Sequence, residues 1–183
     1  MNKQLIIVLM ICLSKLSAQS NQEERILNLL NNADLSKMEF LKEAINDNVP
    51  LGDSNLTSTL CDIYFKSSDE KIKRGCALTI SSLVPISSDQ YGKPTPRVLE
   101  ILIDKMVDTT FTFESPHIQN LGQFMLMSFS ILAPNDVSNI NELDKYQRAP
   151  YDYLSIQMVI RKWYLSNKNK MVWDSRLRKF KLN

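Results

Sequence analysis

Apolar residues recur along this chain at spacings of three and four, the pattern of helices that each bury one face. Strict alternation, which half-buried strands require, is scarce. The pattern breaks at Pro50-Leu51-Gly52, from Ser87 to Pro96, at Ser115-Pro116, at Pro134-Asn135-Asp136 and at Pro150. Between these breaks the spacing predicts four pairs of helices: 22–32 with 35–47, 55–67 with 69–84, 96–109 with 116–133, and 151–165 with 171–181. Asp53, Ser54 or Asn55 suits the start of the third helix, and Ser68 or Asp69 that of the fourth, because a short side-chain oxygen accepts unpaired first-turn amide hydrogens. Pro96 and Pro116 suit first turns, where a missing N–H costs nothing. The expected fold class is therefore all-α, as stacked helical hairpins, with an irregular α-helical bundle as the alternative.

The pairs look like repeats. Cys76 to Pro85 reads CALTISSLVP, and Met125 to Pro134, 49 residues later, reads MLMSFSILAP. A period in the forties suits two-helix units that bury little alone and stack for stability. Asp69-Glu70-Lys71-Ile72-Lys73-Arg74-Gly75-Cys76-Ala77-Leu78-Thr79-Ile80-Ser81-Ser82-Leu83 resembles the second helix of a HEAT repeat. Ile72 stands at its Val position, Lys73 at its Arg, Cys76 at its first Ala and Leu83 at its last Leu. Ile118, Gly122 and Leu126 fall at the matching positions of the next unit. The resemblance implies a short HEAT-like solenoid and a protein-binding role.

The ends of the chain change the picture. Lys3, the apolar run Leu5 to Leu13, and small residues at Ser17 and Ala18 read as a signal peptide over 1–18. The run is too short to span a bilayer, and Ile11 before Cys12 does not fit a lipidation site. The expectation is an exported chain, periplasmic or secreted, whose residues 19–183 make one α-helical domain. Charge is divided: residues 19–160 carry 12 Lys and Arg against 19 Asp and Glu, whereas 161–183 carry 8 against 1. An acidic body with a basic tail implies either an external anionic partner or a tail folded onto the body.

Candidate chemistry is thin. His117 is the one histidine, and no nucleophile, metal or nucleotide motif surrounds it, so no catalytic residue, metal or cofactor is expected. Cys61 and Cys76 flank the predicted turn at 68–69, where a disulfide and a pair of buried free thiols remain equal alternatives. Residues 116–133, with Phe124, Met125, Met127 and Phe129, read as a helix covered on several sides. The Ser87–Pro96 loop, with Tyr91 expected to be exposed, reads as a connector or a recognition loop.

In the tail, Ile156, Val159, Ile160, Trp163 and Tyr164 form a buried stripe that leaves Arg161 and Lys162 outward. Trp173, Leu177 and Phe180 predict a second stripe on a capping helix, with Arg176, Arg178, Lys179 and Lys181 facing out. Arg161, Lys162, Arg176, Arg178, Lys179 and Lys181 are thus the candidate basic partner-binding face. The expected function is that of an exported non-enzymatic module binding a protein partner, as an inhibitor, immunity or assembly accessory. Nucleic acid is not expected, and peripheral membrane contact through the basic C-terminal helix is a further expectation. The alternative is a periplasmic hydrolase working with paired carboxylates.

Overall fold

The computed structural model describes residues 22–36, 55–87, 91–113, 118–140 and 151–183. Among these lie six α-helices: α1 over 22–32, α2 Leu56–Lys66, α3 Glu70–Ser87, α4 Arg97–Lys105, α5 Leu121–Leu132 and α6 Tyr153–Asn167. Short 3-10 turns follow α5 at Asn135–Asn139 and α6 at Lys168–Lys170. Two strands come last, β1 Met171–Asp174 and β2 Lys179–Leu182. The chain is predominantly helical, in keeping with the all-α expectation. The predicted helix 35–47, beyond a turn at 35–36, and His117 lie outside the described residues.

The core is organised around α4. Its residues Val98, Leu99, Ile101, Leu102 and Ile103 are all 1% exposed or less. A helix apolar over so much of its circumference must be covered on several sides. The packing supplies this, with α2, α3, α5 and α6 all lying against it. Helix α3 packs on α2 and α5 as well, and β2 packs on α5. The polar groups of α4 are met by neighbours. Tyr64 Oη of α2 donates to Asp104, and Gln157 Nε2 of α6 donates to the Ile103 carbonyl at 2.8 Å. Tyr164 Oη lies 3.1 Å from both the Pro96 carbonyl and Glu100. Lys105, almost fully buried, reaches Glu70 at the start of α3.

Side-chain chemistry starts α3 and α6, whereas Asn55 before α2 makes no side-chain cap and Pro96 stands just ahead of α4 instead of in its first turn. Asp69 Oδ1 accepts from Lys71 N at 2.7 Å to cap α3, and Asp152 Oδ1 accepts from Ser155 N at 3.0 Å to cap α6. Helix α5 begins at Leu121, later than the predicted 116. The segment before it pairs backward: Thr112 bridges Asn120, and Leu121 N donates to the Phe111 carbonyl at 2.9 Å. Asn120 then caps the helix through Gln123 N, 2.9 Å away. Gly122 sits where α5 passes the end of α4. A Cβ there would lie 2.4 Å from the Met106 carbonyl oxygen, and Gly122 N donates to the Asp108 carbonyl at 3.0 Å.

The predicted helix 171–181 is not formed; that segment is an antiparallel hairpin. Its register pairs Met171 with Leu182, Val172 with Lys181, Trp173 with Phe180 and Asp174 with Lys179. Side chains alternate faces along a strand, so Met171 and Trp173 point together into the core beside Phe180. The Trp173 and Phe180 rings meet edge to face, centroids 5.1 Å apart. Asp174 Oδ1 accepts from Arg176 N and Leu177 N, both at 3.1 Å, which bends the chain into a turn instead of a helix. Arg178 closes the turn in the left-handed region at φ 51°. Leu177, assigned to the buried stripe of a capping helix, is instead 57% exposed at the tip.

Two expected outcomes follow. Gly122→Ala should lower the unfolding free energy by about 2–3 kcal/mol, measured in denaturant, because the clash is with backbone and not a flexible side chain. Trp173→Ala should cost about 3 kcal/mol, whereas Trp173→Phe should cost much less. The indole Nε1 is buried with no acceptor among the described residues, so Phe removes an unmet donor along with some packing.

Candidate partner-binding surface

The six tail cations do not share one helix face. Arg161 and Lys162 project from α6; Arg176 and Arg178 lie in the hairpin turn; Lys179 and Lys181 lie on β2. Arg161 Nη2 reaches Asp104 of the body at 3.3 Å. Lys181 Nζ lies 3.3 Å from Asp174, the tail's own acid, and Lys179 Nζ donates to Asn135. Asp174 is held below the ordinary carboxylate range, chiefly by its hydrogen bond from Leu177 N and then by Lys181. Arg161, Lys162, Arg176, Arg178 and Lys181 are all exposed. The basic charge is thus largely solvent-exposed, with Arg161 and Lys179 also bonded to the body at Asp104 and Asn135.

Helix α6 carries a feature that periodicity alone passes over. Ile156, Ile160 and Tyr164 are buried as predicted, with Val159 and Trp163 half-buried at the edges. On the opposite side Leu154, Met158 and Leu165 are 61%, 61% and 58% exposed. Their spacing of i, i+4 and i+11 places them in one stripe along the helix, with Arg161 at i+7 falling between Met158 and Leu165 and Lys162 beside it. Helix α5 also departs from expectation. Met125 and Phe129 are buried, but Met127 and Ile131 are about half exposed on one side, so the helix is not covered all round.

The remaining candidates resolve as structure. Cys61 and Cys76 are buried free thiols on α2 and α3. Burial pushes each up to about 12, against the pull of the Arg97 charge at Cys61 and with Cys61 adding to the effect at Cys76. Thiols held protonated in this way are poor nucleophiles and poor metal ligands. Tyr91 is buried, not exposed. Its carbonyl accepts from Thr57 N at 3.0 Å and from Thr57 Oγ1 at 2.8 Å, fastening the loop to the start of α2. Among the described residues no group of three His, Cys, Asp or Glu side chains is gathered for a metal, and no helix is long and apolar enough to cross a membrane.

A cavity of about 450 Å³ opens between the end of α1 and α3, lined by Asp34, Leu35, Lys71, Arg74 and Phe111 among others. Its cations are engaged. Lys71 Nζ donates to the Asn31 carbonyl. Arg74 grips Asp108 with two hydrogen bonds, 2.7 and 3.1 Å, and lies over the Phe111 ring at 5.3 Å. Burial works against the Asp108 charge, yet the hydrogen bonds from Arg74 and Thr110 and the charges of Arg74 and Lys105 outweigh it, so its carboxyl titrates below the ordinary range. A carboxyl depressed on folding adds stability above its unfolded value, about 3.9, and that stability is lost as pH falls further. Arg74→Met should therefore flatten the acid limb of a stability-against-pH curve, by about 1 kcal/mol given the partial exposure of the pair.

No family model, curated protein or solved structure matches the chain.

Proposed function

We propose that the protein is an exported, non-enzymatic helical-repeat module that binds a protein partner through the outward face of α6. The observation that carries this reading is the exposed stripe Leu154, Met158 and Leu165 with Arg161 and Lys162 at its side. Isolated exposed leucines are ordinary, but three large apolar side chains aligned on one helix face have the form of a helix-in-groove contact. Burying what each still exposes in a partner is worth about 1.5 kcal/mol. The adjacent cations call for an acidic rim on the partner, which would raise the rate of encounter more than the final affinity. A role as inhibitor, immunity factor or assembly accessory suits such a module.

The HEAT-like reading is supported by the packing order. Helices α2, α4 and α6 touch in succession, as do α3 and α5, which is how two-helix units stack in two rows. The hairpin packs on α5, where the second helix of the last unit would lie. Export rests on the charged, apolar and small-residue pattern of residues 1–18.

The test uses the protein as bait against the exported fraction of the producing cells, beside a Leu154→Asp/Met158→Asp variant. The variant should melt like the wild type, because both positions are solvated. It should bind the captured partner about a hundredfold more weakly in a direct titration. Equal capture and equal affinity would rule out the α6 face.

A further inference from the structure

We infer that the turn of the C-terminal hairpin is a separate contact that inserts Leu177 into an anionic lipid surface. This inference does not rest on the α6 reading, since it concerns different residues on a different element. Leu177 is 57% exposed at the apex, with Arg176 and Arg178 exposed on either side. The apex is held in shape. Asp174 Oδ1 receives the amide hydrogens of Arg176 and Leu177, Arg178 takes the left-handed conformation that closes the turn, and Trp173 and Phe180 root both strands in the core. A fixed turn presents its leucine without the ordering cost that a free chain would meet on binding.

The arrangement of charge identifies the occupant. The one acid of residues 161–183, Asp174, is turned to the hairpin's own amide hydrogens and to Lys181, leaving Leu177 flanked by the exposed Arg176 and Arg178. An apolar apex with cations directly behind it matches a bilayer, where acyl chains lie below a layer of phosphates. Nucleic acid fits less well. Single strands are held by stacking on exposed aromatic rings, and here Trp173 and Phe180 are 6% and 1% exposed. The interfacial amphipathic helix expected for this segment is replaced by a wedge that touches lipid at a single point.

The experiment is sedimentation of the full chain with vesicles of phosphatidylcholine alone or mixed with phosphatidylglycerol. The apolar run 5–13 is common to every variant, so differences between variants report the tip. The expected result is preferential, salt-sensitive binding to the anionic vesicles, weakened about tenfold by Leu177→Asp and about fivefold by Arg176→Gln. Leu177→Trp should add fluorescence that shifts to the blue on anionic vesicles and is quenched by brominated lipid. Both positions are exposed, so melting temperatures should stay at the wild-type value. Three results would each overturn the inference: indifference to Leu177→Asp, equal binding to both vesicle types, or an unshifted indole emission from the Leu177→Trp variant. So would binding at this turn to a polynucleotide or an acidic protein with none to lipid.

Discussion

Everything in this fold turns on the enclosure of α4. A nine-residue helix is too short to be stable alone, and this one holds its shape because neighbours cover nearly its whole circumference. Lys105 is trapped by this enclosure, and the half-exposed Glu100 and Asp104 at its edge are met as well. Tyr64 answers Asp104, Tyr164 answers Glu100, and Glu70 answers Lys105. Both phenols are pushed well above their ordinary value, first by burial and then by the carboxylate each one faces, so they stay protonated as donors. Those contacts fix how α2, α3 and α6 are rotated about their own axes. The rotation of α6 then decides what it shows to water. With Ile156, Ile160 and Tyr164 committed to α4 and the core, Leu154, Met158 and Leu165 have nowhere to go but outward.

Much of this is legible in the sequence because helices announce themselves through period. The starts of α2, α3 and α4 fall within a residue of where the apolar spacing and the caps put them, with Asp69 capping α3 as expected. Where tertiary pairing competes, the pattern is silent. Nothing in the apolar spacing near Ser115-Pro116 foretells that Phe111 to Phe113 would pair backward and delay α5 to Leu121. Tyr91 sits in a polar loop that reads as exposed, because composition cannot show that its carbonyl has a docking site on Thr57.

The hairpin escapes the sequence pattern for a reason that lies in the spacing itself. Trp173, Leu177 and Phe180 satisfy helical spacing, but Met171 with Trp173, and Phe180 with Leu182, satisfy alternation equally well. Over about a dozen residues the two periods cannot be told apart. Asp174 accepts the amide hydrogens two and three residues ahead, which excludes a continuous helix through it, but the same pattern at Asp69 opens α3, so it does not by itself announce a hairpin. Asp174-Ser175, taken as a turn signal, moves Leu177 from the core to the surface. The outer face of α6 is hidden for a different reason. Periodicity marks the richer of two apolar faces and leaves the other to solvent, so a second, sparser stripe is discounted.

The hairpin also changes what the end of the fold does. A terminal helix would spread its cations along a solvated face, each loosely held on a long side. A hairpin of four-residue strands puts Arg176 and Arg178 at one apex, leaves Lys179 and Lys181 along β2, and sets that apex on two buried aromatic rings. The same residues that close the core thereby aim the tip. Closing the core and presenting charge are thus one structural act. Altering Trp173 or Phe180 would disturb both together, whereas Leu177 and Arg176 alter only what is presented, which is why the two roles can be separated residue by residue.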